Sequence, residues 1–185
     1  MRRLTLTLAI LVVAAINCLS QDHGAPVTPT VTTRDNWINY NSPEGRYSVR
    51  LPQQPKLTTQ ESTNSAGLKF TQYMASAEDS GRLFMIGYFD YPAAFDMDKA
   101  RDGVIQKLKG TLLGESDISI AGYPGREIKF SAKETDGSEF LIRARIYAVK
   151  NRAYFVQFII GSTDTAPTAV AAASKYFDSF SVTVP

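Results

Sequence analysis

Apolar and charged residues alternate along three runs between Gly122 and Gly161. Val, Ile, Phe and Tyr recur at every second position over much of this stretch, which is the period of strands with one face on a core. Polar breaks at Asp136-Gly137 and Lys150-Asn151 separate the runs, and both dipeptides suit hairpin turns. The pattern predicts a three-strand antiparallel meander that forms the floor of one core.

Five extended runs are predicted before this meander, two of them at residues 68–75 and 117–121. Residues 47–51 alternate and end at Pro52, after a turn in which Gly45 is free to take a positive φ. Residues 56–62 form a polar run, which is typical of a sheet edge. Residues 82–91 are apolar on both faces, so we expect a central strand that is covered on both sides.

Two segments have the spacing of helices. Asp96 is a good N-cap for the first helix, which we expect to end at Gly114, and its stripe is Met97, Ala100, Val104, Leu108 and Leu112. Thr163 or Asp164 is predicted to cap the second helix, with Pro167 in its first turn. The stripe of the second helix is Val170, Ala173, Phe177 and Phe180. A short extended tail, residues 181–183, follows.

This order of elements predicts an α+β fold with a mostly antiparallel sheet and two main helices. Cover on both faces of the central strand indicates an α-β-α sandwich. We find no internal repeat and no second linker, so residues 37–185 are predicted to form a single domain that is monomeric.

The N-terminal 20 residues have the pattern of a secretory signal peptide: Arg2 and Arg3, an apolar run, then small or polar residues. The apolar run is shorter than the roughly 20 residues that a membrane span needs. Residues 21–36 are rich in Thr and Pro and predict a flexible tether. We therefore expect export to the periplasm or the extracellular space, with no transmembrane span in the mature chain. The alternative is a lipid anchor on Cys18.

Charge argues against nucleic acid as a partner. The chain has 20 basic and 18 acidic residues, and removal of Arg2 and Arg3 would leave 18 of each. Binding to nucleic acid requires a basic surplus that releases counterions.

Histidine and cysteine chemistry is absent from the predicted domain, because the single histidine, His23, and the single cysteine, Cys18, both precede it. A Ser-His-Asp triad, a His-ligated zinc or a Cys-His pair therefore cannot form there. No phosphate-binding loop motif is present. We predict no catalytic residues, no metal site and no cofactor.

The densest group of carboxylates is Asp90, Asp96, Asp98 and Asp102. Oxygen ligands of this kind could hold Ca²⁺, but the spacing does not match an EF-hand loop. A helix N-cap followed by acids in the first turn explains the same residues and is favoured.

A candidate binding surface lies on the meander and consists of Arg126, Glu127, Arg143, Arg145 and Tyr147. Arg143 and Arg145 are two residues apart on one predicted strand, so both point to the same face, where they could grip a carboxylate or a phosphate. The alternative is a cross-strand ion pair in which Glu127 or Glu139 neutralises them. Eight aromatic residues could line a pocket, although their alternation favours the core: Tyr73, Tyr88, Phe89, Tyr91, Phe95, Tyr147, Tyr154 and Phe158.

The chain resembles the PsbP-like family, the extrinsic photosystem II subunits and their bacterial relatives of unknown function. The similar segments are YNSPEGRYSV at 40–49, GYPGRE at 122–127, the paired strands from Arg143 to Phe158, and the closing FDSF at 177–180. The resemblance covers residues 37 to about 182. It implies an α-β-α sandwich and a role in assembling, stabilising or docking on a membrane complex. The metal-binding histidines of photosystem members have no counterpart here.

We therefore expect an exported, non-catalytic module that binds an unidentified protein or membrane complex. A small-ligand or lipid-binding carrier is the alternative, and a large pocket lined by the aromatic residues would favour it. A hydrolase that uses carboxylates is a third possibility, and it needs two acids that face each other across a cleft.

Overall fold

The computed structural model of the chain describes residues 36–63, 69–91, 95–133 and 137–184. The predicted signal peptide and all of the predicted tether except Asn36 lie outside these residues.

The described residues form ten strands and two helices. The strands are β1 (Ile38–Ser42), β2 (Tyr47–Leu51), β3 (Lys56–Thr63), β4 (Lys69–Asp79), β5 (Arg82–Asp90), β6 (Thr111–Ile120), β7 (Tyr123–Lys133), β8 (Glu139–Val149), β9 (Arg152–Gly161) and β10 (Ser181–Val182). The helices are α1 (Met97–Lys107) and α2 (Pro167–Ser179). Two helices with antiparallel strands confirm the α+β class.

Seven strands make the main sheet, in the order β3-β4-β5-β9-β8-β7-β6, and every neighbouring pair is antiparallel. The predicted meander is present as β7, β8 and β9, and β3 lies at the predicted edge. A smaller antiparallel sheet has the order β1-β2-β10.

Two hydrophobic clusters lie against opposite faces of the main sheet. Strand β5 contributes to both, because its side chains alternate: Leu83, Met85 and Phe89 enter the first cluster, whereas Phe84, Ile86 and Tyr88 enter the second. The first cluster includes buried residues of α1, and the second includes residues of α2 and β2. The prediction that this central strand is apolar on both faces is confirmed.

The end of α1 was predicted too far along the chain. The helix ends at Lys107, the Gly110 N–H donates to the Ile105 carbonyl at 2.8 Å, and strand β6 begins at the next residue. Leu112 is therefore a strand residue and is not part of the helical stripe. Pairing of nine β6 residues with β7 outweighs one more turn of helix, and helical spacing cannot reveal that long-range pairing.

The stripe of α2 also differs from the prediction at one position. Val170 faces solvent, while Ala169, Ala173, Tyr176 and Phe177 are buried. The N-cap is Ala166, whose backbone N–H donates to a carboxylate oxygen of Asp164 at 3.2 Å, so Asp164 supports the helix start from two residues upstream. Pro167 lies in the first turn, as predicted, and is the first helical residue, so the helix begins later than a cap at Thr163 or Asp164 would place it.

In the turn before β2, the positive φ belongs to Arg46, at 53°, and not to Gly45. Glycine is needed at position 45 for a different reason. A Cβ atom there would lie 2.5 Å from the ring of Tyr47, which is buried. The turn therefore depends on close approach of the backbone to an aromatic ring.

Candidate functional site

The five residues predicted to form a binding surface fall on two faces of the main sheet. Successive residues of a strand point to opposite faces. Glu127 of β7 lies opposite Arg145 of β8 and shares its face, which is the face that α2 covers. Arg126 consequently points to the other face. The structure brings together Glu127, Arg143, Arg145 and Tyr147, and it separates Arg126 from them.

Arg126 belongs to an ion-pair network between α1 and β6. Its guanidinium donates to Asp98 of α1 and lies 3.8 Å from Glu115 and 3.4 Å from Asp117. Arg101 of α1 also bonds Glu115, at 2.7 Å. These partly exposed pairs link α1 to the sheet and engage the Arg126 guanidinium within the protein.

We call Glu127, Arg143, Arg145 and Phe177 the arginine cluster. One carboxylate oxygen of Glu127 accepts hydrogen bonds from Arg143 Nη2 and Arg145 Nε, each at 2.8 Å. Both guanidinium carbons lie 4.8 Å from the centre of the Phe177 ring on α2, and Arg145 also donates to the Phe177 carbonyl. The cluster links β7, β8 and α2, as the cross-strand alternative anticipated, with the added contact to the helix.

Electrostatics hold the Glu127 carboxyl in its charged form. Burial alone would raise its pKa, but the hydrogen bonds and positive charges of Arg143 and Arg145 outweigh burial, so the pKa lies below its usual value. Two guanidinium groups share this one carboxylate. Asp178 approaches Arg145 to 3.9 Å from an exposed position.

Tyr147 is a core residue with 4% of its surface exposed. Its ring stacks on Phe180 at 5.9 Å, and burial raises the pKa of its hydroxyl. Tyr147 therefore packs in the core beside the arginine cluster on β8 and presents little surface to a partner.

The four aspartates of the predicted carboxylate group do not converge. Asp96 caps α1 by accepting from the Lys99 N–H at 3.0 Å, and Asp90 pairs with Arg152 at 2.7 Å. Asp98 and Asp102 each bond arginines. Among the described residues, no three His, Cys, Asp or Glu side chains gather as metal ligands would.

The aromatic residues mostly pack inside, as their alternation indicated, with Tyr91 and Phe95 at the margin of the first cluster. Tyr73 is the exception, because 42% of its surface is exposed. It does not enter the core but stacks on Tyr88 at 5.0 Å.

The small sheet and α2 cover the middle of the second face and leave both of its flanks open. On the β6–β8 side, a groove of about 360 Å³ separates α2 from the sheet. Apolar side chains line it, with cations at one end and Asp164 at the other. We define the groove by Leu113, Leu141, Ile160, Val170, Lys129 and Arg143.

On the opposite flank, Leu57 of edge strand β3 is 64% exposed and lies beside Tyr73, next to a small pocket that also contacts Tyr40 and Glu44. We call Leu57, Tyr73, Tyr40 and Glu44 the strand-edge patch. Beneath it, Arg152 lies 4.6 Å over the Tyr88 ring and is itself paired with Asp90. Tyr73 of the patch therefore packs on Tyr88, which is itself held by Arg152.

Sequence reasoning missed four exposed aliphatic residues: Leu57, Leu112, Leu113 and Val170. Leu113 is 59% exposed because the register between β6 and β7 shifts between Leu112 and Gly114. Two consecutive leucines in a strand are a signal for such exposure, since they cannot both face one core. Val170 is 68% exposed, and its position in the helical repeat did not reveal this.

No helix in the described ranges is long and apolar enough to cross a membrane. The sequence matches no family model and no curated protein.

Similarity appears among solved structures. Cyanobacterial PsbP (CyanoP) from Synechocystis shares 10% identity and a TM-score of 0.54, over 85% of this chain and 98% of that chain. A protein of unknown function from Pseudomonas aeruginosa shares 13% identity and a TM-score of 0.43, over 80% and 96%. LpqN, involved in cell envelope biogenesis of Mycobacterium tuberculosis, shares 14% identity and a TM-score of 0.44, over 88% of each chain.

The comparison with cyanobacterial PsbP bears on the fold alone, because at such low identity partners and activities do not carry over. It agrees with the resemblance found in the sequence motifs. The chain has a PsbP-like fold.

Proposed function

We propose that this chain is an exported, non-catalytic accessory module that binds a protein or membrane complex. The module would act in the periplasm or outside the cell, either released or held by a lipid on Cys18. Its layers would form the α-β-α sandwich implied by the PsbP-like resemblance, which the presence of α1 and α2 residues in opposite core clusters supports.

The observation that carries the proposal is the strand-edge patch. Leu57 and Tyr73 extend apolar and aromatic surface beyond the cover of the small sheet, and tyrosine is enriched among the contact residues of protein interfaces. Tyr73 is preorganised by its stack on Tyr88, so little side-chain entropy is lost when a partner packs on it.

Strand β3 favours a protein over a small molecule as the partner. It pairs with β4 and with no other strand of the main sheet, so its outer edge offers backbone N–H and C=O groups to an added strand. Its residues are mostly polar, which keeps the free edge compatible with solvent until a partner binds. We propose that the partner contributes an extended segment beside β3 and an apolar side chain against Leu57.

Within the arginine cluster, Arg143 is the residue that we still propose as part of a binding surface. Glu127 engages both arginines, and α2 covers Arg145, so a partner could reach this region mainly through Arg143 at the end of the groove.

The test replaces Leu57 with Asp. A photo-crosslinking amino acid at position 59 of β3 should yield a discrete crosslinked product in the cell of origin, and Leu57→Asp should reduce that product at least about tenfold, because it places a charge in an apolar contact. The melting temperature should change little, because Leu57 is exposed.

The matched control is Leu113→Asp, because Leu113 is a similarly exposed leucine on the opposite flank. This variant should leave the crosslinked product unchanged. An unchanged product in Leu57→Asp, or equal loss in both variants, would remove the strand-edge patch from the proposal.

A further inference from the structure

The groove combines an apolar floor with a cationic end. Leu141 of β8 lies opposite Ile160 of β9, and the next row on the same face consists of Lys129, Arg143 and Phe158. Val170 of α2 and Leu113 of β6 stand at its sides. We propose that the groove binds a long-chain carboxylate, that is, a fatty acid, with its carboxylate on Lys129 and Arg143 and its chain over Leu141 and Ile160.

The local charge matches one negative group. Lys129, Arg143 and Arg145 stand against the carboxylates of Glu127 and Asp178, which leaves a formal excess of one positive charge. Lys129 is exposed, and the partly exposed guanidinium of Arg143 has N–H donors beyond the one bonded to Glu127. A carboxylate carries one charge, whereas a phosphate monoester carries about −1.5 to −2 at neutral pH, so a carboxylate fits the excess better.

The other end of the groove sets the orientation of the ligand. Asp164 lines that end, and its carboxylate already accepts from the Ala166 N–H and pairs with Arg82 at 2.7 Å. The start of α2 is thus supplied with an anion, and a second one there would be repelled. The apolar row of Leu141 and Ile160 lies between this end and Arg143, so the acyl chain runs from the cations towards the start of α2.

The dimensions agree with a single acyl chain. A volume of about 360 Å³ falls at the lower end of the range for small-molecule pockets, and the cleft is open along one side. A chain lying there would cover the exposed side chains of Leu113 and Val170. Each methylene fully buried should raise affinity about threefold to fourfold until the groove is full.

The test is a calorimetric and methyl-NMR titration of the purified protein with decanoate, octanoate, 1-decanol and decyltrimethylammonium, all below micelle-forming concentration. We expect decanoate to bind and to shift the methyl signals of Leu113, Leu141, Ile160 and Val170. Octanoate should bind about tenfold more weakly because it buries two fewer methylenes. Decanol should bind at least about tenfold more weakly because it lacks the charge-assisted hydrogen bonds. The trimethylammonium compound should not bind.

Two variants locate the site. Lys129→Gln should lower decanoate affinity about tenfold and leave decanol affinity unchanged, while Lys133→Gln, an exposed lysine on the same strand, should change neither. Val170→Asp should abolish decanoate binding. Both altered positions are exposed, so folding should be retained, and a melting curve verifies this.

Absence of decanoate binding, equal affinity for decanoate and decanol, or an unaltered affinity in Lys129→Gln would each overturn the proposal. Binding of decanol alone would mean that the groove accepts an apolar segment without recognising charge. Leu57→Asp should not alter decanoate binding. A negative result in the decanoate titration therefore leaves the proposal for the strand-edge patch intact, and a negative result in the crosslinking experiment leaves the proposal for the groove intact.

Discussion

Glu127 shows how one side chain connects sheet, helix and charge. It is buried, and it accepts from two arginines that also lie over a ring of α2. Removing the charge leaves the half-buried Arg143 without its ion-pair partner and Arg145 with the exposed Asp178 at 3.9 Å, which costs more than the loss of a surface pair. The alternation of β7 and β8 predicted that these residues share a face, but it could not predict that Phe177 closes over them, because the helix is distant in sequence.

We expect Glu127→Gln to lower the free energy of unfolding by about 1–3 kcal/mol at neutral pH. Because the pKa of Glu127 is depressed in the folded state, its contribution is fully present above its unfolded pKa of about 4.3 and is lost as the pH falls through the folded value. Urea unfolding at several pH values measures this, and the difference in free energy of unfolding between the variant and the unaltered protein should shrink below about pH 4.

The control is Glu139→Gln. Glu139 lies on the same face of the main sheet but is more exposed, so this change should alter stability by less than about 0.5 kcal/mol. A difference that does not depend on pH would contradict the charge argument.

At the scale of elements, the two helices begin differently. The α1 N-cap, Asp96, accepts from the Lys99 N–H and also pairs with the Lys99 ammonium at 2.7 Å. Helix α2 instead begins with Pro167 and has no side-chain hydrogen bond from its own N-cap residue. Local chemistry identified the start of α1 in the sequence, whereas the predicted cap of α2, Thr163 or Asp164, lies two or three residues before the observed N-cap, Ala166. The end of α1 escaped prediction, because it depends on where β6 begins to pair with β7.

We expect Asp96→Ala to lower the free energy of unfolding by about 1 kcal/mol, because the Lys99 N–H loses its acceptor. Thermal melting checks this change. Asp102→Ala removes an exposed acid of the same helix that caps nothing, and it should cost clearly less. Equal losses in the two variants would show that charge, and not capping, matters at position 96.

At the scale of the whole molecule, the sheet has a protected centre and two open edges. Strands β5 and β9 lie at its middle and are buried over most of their length, whereas β3 at one edge is largely exposed. Local opening is easiest where few apolar contacts must be broken.

Hydrogen exchange should therefore be slowest for amides of β5 and β9, with free energies close to that of global unfolding. Outward-pointing amides of β3 should exchange with little protection. Exchange measured by NMR on the dilute protein gives this profile. Slow exchange along all of β3 would contradict it and would indicate that a second copy covers this edge.

The sequence by itself determined the α+β class, the central strand, the meander, the start of α1 and the place of Pro167 in the first turn of α2. These features follow from periodicity and capping, which act between residues close in the chain. The tertiary structure alone decided that Arg126 pairs with Asp98 of α1, that Val170 and Leu113 face solvent, and that Phe177 covers the arginines. Each of these features depends on which elements distant in the sequence come into contact, and on how much of the main sheet the small sheet and α2 cover. That is why the groove and the strand-edge patch, both at the margins of this cover, became visible only in three dimensions.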